Sequence, residues 1–246
     1  MPPVLAAQGG PNFSTGPVPG TAFPGLQTVL YWAEITNADD IAPDAAANAA
    51  GAKVTADGTR LHVDVPTWQT SIELVEWGHA SLDWTRVSYW NIDDWWGGGG
   101  TNRSVFVFGY ETPAGSVPAS GTATYGGLAE GSAFYPENQG AGEVRLTGNA
   151  AFTADFGARS VTGSLTGMTA NGAPWNSVAF NSTITGNAFS GTTSVTSAPG
   201  GIASLASNAA GTLEGKFFGP SAQEAGAVWT LFDGTKAAIG TLSGKR

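Results

Sequence analysis

The histidines decide whether the chain could ligate haem or a metal, and it contains only two of them. His62 occupies a polar position in an alternating segment, where exposure to solvent is the ordinary explanation. His79 lies in the turn EWGHAS next to Trp77, where it would either supply one axial ligand to haem or have a structural role. Two histidines without a third ligand nearby do not predict a zinc site. The cofactor therefore stays undetermined, with haem as a candidate. Three tyrosines are further candidates for iron coordination: Tyr31, Tyr89 and Tyr110.

The tryptophans are the main candidate binding group, because seven of the nine lie in the first 96 residues. An indole combines a large apolar area with one N–H donor, which suits flat ligands and hot-spot contacts with proteins. Trp95 and Trp96 follow two aspartates and precede Gly97–Gly100, so a loop there displays two adjacent indoles that cannot both face one core. This arrangement predicts that the pair binds a ligand.

Other tryptophans of this group have a competing interpretation. Trp77, Trp84 and Trp90 lie in strand-like runs, where they would fill the core of the first domain or its junction with the second. Whether the cluster is core or binding surface stays open at this point. The candidate ligand-binding residues are Trp95, Trp96, His79, Trp77, Tyr89 and Trp90.

The sequence contains no recognisable catalytic constellation. Asp93 and Asp94 are adjacent, and neighbours on a strand point to opposite faces, so they do not form an acid–base pair. Nucleophile-elbow, zinc-protease and phosphate-loop motifs are absent, and the four glycines at 97–100 precede neither a lysine nor a helix. We therefore predict a non-enzymatic protein. A tryptophan-rich carbohydrate-active enzyme would need two carboxylates that face one cleft.

Composition and charge exclude further classes. Of the 246 residues only 12% are charged, whereas 36 are glycine and none is cysteine, a mixture typical of a β protein with many turns. The net charge is −9, and residues 1–115 carry 12 acids against 4 bases, so nucleic-acid binding is not expected. There is no run of 18 apolar residues that would span a membrane. The N-terminal residues 1–25 are a Pro/Gly-rich leader without the features of an intact signal peptide.

The elements that must hold the candidate residues fall in two groups, which meet near Glu111–Gly121. One helix (Ala42–Ala50) and four strands (Thr59–Val65, Ser71–Trp77, Ser81–Trp90 and Ser104–Tyr110) are predicted in the first group. The second group contains about eight short strands with glycine- and asparagine-containing turns between them, typical of a closed barrel or a sandwich. Gly163 and Gly215 lie inside strands and favour a tightly curved barrel. Serine and threonine at the outward positions argue against a lipid-facing wall.

Nine segments carry this second prediction. They are Thr122–Tyr125, Glu143–Thr147, Ala151–Asp155, Ser160–Thr166, Val178–Ile184, Asn187–Thr193, Leu213–Phe218, Val228–Phe232 and Ala237–Leu242. Turns are predicted between them at Gly148-Asn149, Asn171-Gly172, Gly186-Asn187 and Asp233-Gly234.

Five segments of the second half occur in a recognisable order: Gly121–Gly127 (GTATYGG), Ala150–Gly167 (AAFTADFGARSVTGSLTG), Ile184–Gly191 (ITGNAFSG), Gly211–Trp229 (GTLEGKFFGPSAQEAGAVW) and Ala238–Arg246 (AIGTLSGKR). Together they resemble the barrel of the transferrin-binding protein B-like surface lipoproteins, which are related to haemophilin-type haem binders. The preceding Phe106–Gly121 is similar to the strand and linker that lead into that barrel. The most specific element is Gly219–Glu224 (GPSAQE).

This resemblance implies a mainly β fold in which a β-rich handle domain precedes an eight-stranded antiparallel barrel. The boundaries expected from it are a leader at 1–25, the handle at 26–115 and the barrel at 116–246. It also implies a location on the outward face of the outer membrane of a Gram-negative bacterium, or secretion, since the chain has no cysteine for a lipid anchor.

The function implied is a binding protein that captures a nutrient ligand, namely haem, an iron-carrier protein or another small cofactor, and passes it to an outer-membrane receptor. The partners are then that receptor and the ligand or host protein, with neither nucleic acid nor a membrane span involved. The alternative is a surface adhesin or structural module that binds a partner protein without transfer of cargo.

Overall fold

The computed structural model describes residues 53–56, 60–65, 70–76, 82–94, 101–109, 111–137 and 140–246. The predicted leader and the predicted helix Ala42–Ala50 lie outside these residues. Within them, regular structure consists of fourteen β-strands and one 3-10 turn, Ala114–Ser116. The mainly β fold class is therefore confirmed.

The first sheet is an antiparallel meander of five strands, which we call the handle sheet. Its strands are β1 (Lys53–Ala56), β2 (Arg60–Val65), β3 (Thr70–Glu76), β4 (Thr85–Asp94) and β5 (Thr101–Gly109), and their order in the sheet follows the chain. The register aligns β-branched residues across four strands, since Val63 pairs with Val54 and Ile72, and Ile72 pairs in turn with Ile92. Each of the four strands predicted in this half is present, with bounds shifted by a few residues.

The second sheet closes on itself. Its strands are β6 (Thr122–Glu137), β7 (Gly140–Asp155), β8 (Ser160–Ala170), β9 (Ala173–Pro174), β10 (Ser177–Thr185), β11 (Ala188–Ser197), β12 (Ala210–Phe218), β13 (Glu224–Phe232) and β14 (Ala237–Lys245). Strand β14 pairs with β6, and β10 pairs with both β8 and β11, so eight strands form a closed antiparallel barrel with the two-residue β9 beside β8. The predicted eight-stranded barrel is confirmed.

One predicted turn is wrong. Gly148-Asn149 does not separate two strands, because it lies inside β7, where the pairing with β8 shifts register between Thr147 and Asn149. A Cβ on Gly148 would come within 2.9 Å of the Met168 Cα, so this glycine serves the close approach of two strands at a bulge. The segments Glu143–Thr147 and Ala151–Asp155 are therefore one strand.

Strand β6 is four times longer than the predicted Thr122–Tyr125. It continues through Gly126 and Gly127, which pair with Lys245 and Gly244 of β14. A Cβ on Gly127 would lie 2.0 Å from the Ser243 carbonyl oxygen, so this glycine permits tight pairing with β14, whereas a Cβ on Gly126 would meet no atom within 4 Å.

The barrel lumen is filled by side chains. Tyr125 and Phe152 stack with ring centroids 5.0 Å apart, and the Trp229 Nε1 donates to the Thr241 carbonyl oxygen at 3.0 Å. Gly163 and Gly215 leave space for other rings of the lumen. A Cβ at Gly215 would lie 2.3 Å from the Phe189 Cζ, and one at Gly163 would lie 2.6 Å from the Phe180 Cζ. Eight aromatic residues belong to this core: Tyr125, Phe152, Phe156, Trp175, Phe180, Phe189, Phe217 and Trp229.

Both ends of the barrel are covered. At one end, which we call the lid end, residues 198–209 between β11 and β12 form a lid loop that buries Leu205 and Ala209 against the core. At the other, the lower end, the segment between the two sheets packs Val117 against the core and accepts the Phe156 N–H on the Gly121 carbonyl oxygen. The predicted turns Asn171-Gly172 and Asp233-Gly234 lie at the lid end, and Gly186-Asn187 at the lower end.

Candidate functional site

Of the six predicted ligand-binding residues, the structure describes the backbone of two. Tyr89 and Trp90 lie in β4, where Tyr89 pairs with Val75 and Val105, and Trp90 with Leu74 and Ser104. The remaining four, Trp77, His79, Trp95 and Trp96, lie outside the described residues. Their roles stay predictions.

The described strands nevertheless show at which points of the handle sheet the segments with these residues are attached. Trp77 and His79 fall between the last residue of β3 and the start of β4, whereas Trp95 directly follows the last residue of β4. Strand β4 has ten residues, which at roughly 3.3 Å per residue separates its two ends by about 30 Å. The candidate residues are thus attached at two distant points of the handle sheet.

The handle sheet packs on the outer wall of the barrel. Val87, Val105 and Val107 of β4 and β5 are fully buried in one cluster with residues of β6, β12, β13 and β14. On the barrel side the cluster consists of Phe134, Phe218, Val228, Ala237 and Ile239. Ala237 pairs with Phe134 near the lid end, so the contact extends up the wall toward that end.

The lower edge of this contact is formed by Gly219–Glu224, which we call the latch. The Glu224 side chain is 1% exposed, and its two carboxylate oxygens accept the backbone N–H groups of Asp83 at 2.7 Å and Trp84 at 2.9 Å. Hydrogen bonds to an ionised acceptor are about twice as strong as neutral ones. A carboxylate at the first residue of β13 therefore holds the residues that immediately precede β4.

The latch is held from the barrel side as well. Ala222 is fully buried with φ at 61°; its carbonyl oxygen accepts the Tyr125 hydroxyl at 2.7 Å, and its N–H donates to the Thr112 Oγ1 at 3.2 Å. Burial raises the pKa of Tyr125 to about 12, against the lowering effect of the Arg246 charge. The tyrosine thus stays a neutral donor. The latch therefore connects the lumen, the segment between the two sheets and the handle sheet.

Trp84 belongs to this junction, as one of the two interpretations of the tryptophans predicts. It is half-buried and packs against the cluster that contains Val87, Val105 and Val107, which we call the valine cluster. Gly219, with φ at 82°, lies beneath it, and a Cβ there would be 3.0 Å from the Trp84 Cδ1. The latch is the most specific motif in the sequence, but its role could not be predicted from the residues because its partners lie 97 to 141 positions away.

The lid end presents an ordered surface. Buried Asn176 donates to the Leu205 carbonyl oxygen at 2.8 Å, and its Oδ1 accepts the Leu205 N–H and the Ser204 hydroxyl. The Trp175 Nε1 also donates to the lid loop, at the Ala203 carbonyl oxygen. At the tip of this loop Ile202 is 67% exposed. A loop fixed by buried polar side chains thus displays an apolar residue to solvent.

Asp233 ties the lid loop to the neighbouring hairpin. Its Oδ2 accepts the Ala206 N–H, and its Oδ1 accepts the N–H groups of Thr235 and Lys236. Partial burial acts to raise the pKa of this carboxyl, but the backbone donors and the Lys236 charge outweigh it, so the pKa of Asp233 lies below its ordinary value. The Lys236 Nζ adds a bond to the Ser204 carbonyl oxygen at 2.7 Å.

Among the described residues, a groove of about 220 Å³ lies on the outer wall over β10, β11 and β12, bordered by Thr183, Thr185 and Lys216. Pockets for small ligands typically measure about 300–1,000 Å³. Within the described ranges no three His, Asp or Glu side chains lie close enough to hold a metal ion, and no helix is long and apolar enough to cross a membrane.

Comparison with known proteins gives one family match. The sequence profile of the family described as the C-lobe and N-lobe β-barrels of Tf-binding protein B matches residues 117–246, more than half of the chain. None of the curated protein sequences is significantly similar to this chain.

Solved structures show the same fold. Intact Ap-TbpB, with both its N and C lobes, aligns with a TM-score of 0.56 at 18% identity, over 78% of this chain and 39% of that protein. A transferrin-binding protein B mutant from Haemophilus parasuis Hp5 also gives 0.56 at 18%, over 76% and 37%. The isotype 1 protein from serogroup B Neisseria meningitidis gives 0.54 at 17%, over 78% and 36%. The chain spans less than two-fifths of these relatives.

Proposed function

The chain belongs to the family of the Tf-binding protein B β-barrels, and from this premise we propose that it is a non-enzymatic binding protein of the Gram-negative cell surface that captures an iron-carrying protein. Its solved relatives of the same fold are named as transferrin-binding proteins. Delivery of the iron to an outer-membrane receptor, and attachment to or release from the surface, are parts of the same proposal.

The observation that carries the proposal is the packed lumen. Barrels that carry small ligands leave a cavity inside, whereas here eight aromatic side chains occupy the interior and the lid loop covers one end. With the interior occupied, a ligand of the barrel would bind on its outside, and a macromolecule is the partner that an outer surface fits best. The acidic N-terminal half further favours a partner with basic patches.

The binding face that we propose combines the lid loop with the end of the handle sheet from which Trp95 and Trp96 extend. A rigid loop that displays Ile202 loses little entropy on binding, and indoles are frequent hot spots. The latch at the lower end and the valine cluster that extends toward Phe134 hold the two parts together.

Surface plasmon resonance with the immobilised chain tests the proposal. Iron-loaded transferrin, lactoferrin and haemoglobin are injected separately, and we expect one of them to bind with a Kd below about 10 µM. Iron-free transferrin serves as a control, because a capture protein must distinguish loaded from empty carriers. Equal binding of both forms would support an adhesin, and no binding of any carrier would overturn the proposal.

The exposed apolar residues Ile202, on the proposed face, and Leu128, away from it, supply a test variant and its control. Ile202→Ala and the double variant Trp95→Ala/Trp96→Ala should each weaken the affinity at least about tenfold. Leu128→Ala, on the outer wall of β6 at 39% exposure, should leave it unchanged. Titration with haemin, followed in the Soret region, completes the test. A spectral change that is lost in His79→Ala would replace protein capture by haem binding.

A further inference from the structure

We infer that Glu224 is a positioning residue, which fixes the angle of the handle sheet on the barrel wall and thereby the shape of the binding face. The inference rests on the proposed function for its binding arm only. Glu224 touches no part of that face, and it acts through the two backbone N–H groups that its carboxylate accepts.

The first support is the cost of burying this carboxylate. A carboxyl side chain at 1% exposure is retained only where hydrogen bonds replace its lost hydration. The donors are the backbone N–H groups of Asp83 and Trp84, and Thr85, the next residue, begins β4. The carboxylate therefore defines the point at which β4 starts on the barrel.

The second support is that the barrel determines where Glu224 lies. The latch contains two residues in the left-handed region, Gly219 and the non-glycine Ala222, and such strain persists where surrounding structure enforces it. The Tyr125 hydroxyl and Thr112 enforce it here, through both backbone groups of Ala222. The position of the carboxylate is thus transmitted from the lumen.

The third support is a direct contact two residues along β13. Gly226 faces the handle sheet, and a Cβ there would lie 2.5 Å from the Val107 Cγ1 and 3.1 Å from the Thr85 Cγ2. Beside Glu224, side chains of the handle sheet therefore pack directly on the backbone of β13. Any added atom would have to tilt or lift the handle sheet.

Because β4 is long, a small change of angle at the latch displaces its far end by a larger distance. Over about 30 Å of strand, a tilt of about 10° at the latch displaces the far end by about 5 Å. Misplacement by as little as about 1 Å makes a binding site too loose. The position of Asp94, the last residue of β4, therefore depends on the hydrogen bonds of Glu224 at the opposite end of the strand.

The experiment compares Glu224→Gln with Glu214→Gln in the full chain. An amide side chain accepts only one of the two N–H groups cleanly, because its nitrogen is a donor. We expect amide exchange at Asp83 and Trp84 to accelerate at least about tenfold in Glu224→Gln and to stay unchanged in Glu214→Gln. Unchanged amide exchange at Trp175 and Trp229 reports that the barrel is intact.

The binding arm uses the carrier protein that the wild type binds, and Glu224→Gln should weaken that affinity at least about tenfold. Gly226→Ala keeps the carboxylate and displaces the handle sheet sterically, so it should lower the affinity even if Glu224→Gln fails to fold. Unchanged exchange in Glu224→Gln would overturn the inference, as would faster exchange without loss of affinity. If the wild type binds no carrier, the proposed function fails, while the exchange data still decide whether Glu224 holds the handle.

Discussion

Gly163→Ala tests whether glycines in the barrel strands exist to make space for aromatic rings. An alanine Cβ at this position would lie 2.4 Å from the Phe152 Cβ, 2.6 Å from the Ala151 carbonyl oxygen and 2.6 Å from the Phe180 Cζ. Carbon atoms in contact are about 3.5–4.0 Å apart, so the neighbours must move by about 1 Å. Two of the three contacts involve atoms that no side-chain rotation can displace.

The expected magnitude follows from opposing terms. Overpacking a core costs about 1–3 kcal/mol, whereas alanine in a strand gains about 0.5–1 kcal/mol over glycine by reducing the entropy of the unfolded chain. The free energy of unfolding should therefore fall by up to about 2.5 kcal/mol, and by about 1–3 kcal/mol relative to an alanine that meets no neighbours. For a chain of this size the larger net loss corresponds to a decrease in Tm of roughly 5–10 °C.

Gly126→Ala is the matched control, because this strand glycine has no atom within 4 Å of an added Cβ. It should leave the stability unchanged or raise it by up to about 1 kcal/mol. Urea unfolding followed by tryptophan fluorescence, together with calorimetry, measures both variants. If Gly163→Ala unfolds at the same urea concentration as Gly126→Ala, the steric explanation of the strand glycines is refuted.

Three further substitutions examine the latch and the lid loop. Tyr125→Phe leaves the buried Ala222 carbonyl oxygen without its donor and should lower the free energy of unfolding by about 1–3 kcal/mol in urea; equal midpoints would contradict this. Asn176→Leu removes the bonds to Leu205, so limited proteolysis should cleave within residues 198–209, a site that stays resistant in the wild type. The lowered pKa of Asp233 means that its ionised form stabilises the fold above its ordinary pKa near 3.8, and that this stability is lost as the pH falls through the lower folded value. Asp233→Asn should therefore lower the Tm at pH 7 and leave it unchanged below that folded pKa, whereas a constant difference at every pH would argue against the carboxylate.

The barrel could be predicted from the sequence because its signals are local. Alternation in Ser160–Thr166 and turn residues such as Asp233-Gly234 specify strands and hairpins within about ten residues. Closure between β6 and β14 followed from the resemblance to a known family, since no local pattern records which distant strands pair.

The errors have one physical cause, which is that glycine has two uses. Gly148 was predicted to lie in a turn and the first barrel strand to end at Tyr125, whereas in the structure Gly148 permits close approach of two strands and Gly126 lies in open strand. The two uses differ only in what the neighbouring strand places opposite the missing Cβ. That information lies at Met168 for Gly148, and it is available only after the strands are paired.

The junction illustrates a further limit. A glutamate such as Glu224, in a segment of small residues, has the composition of an exposed turn, and no nearby cation marks it as buried. Its partners are backbone N–H groups, which every residue carries, so the sequence contains no complementary signal. Trp84 shows a case with more local signal, because a large apolar side chain in a strand-like run favoured the handle core or its junction with the barrel, and the structure has it at the junction.

The pairing of Lys245 with Gly126 determines when the barrel can close during synthesis of the chain. Because β6 finds its neighbour only in Ala237–Lys245, a nascent chain that has emerged as far as β13 exposes two unpaired edges and cannot form a cylinder. Such long-range pairing is slow compared with the formation of hairpins. The barrel can therefore close only after residues 237–245 have been synthesised, and until then the edges of β6 and β13 stay open to pairing with other chains.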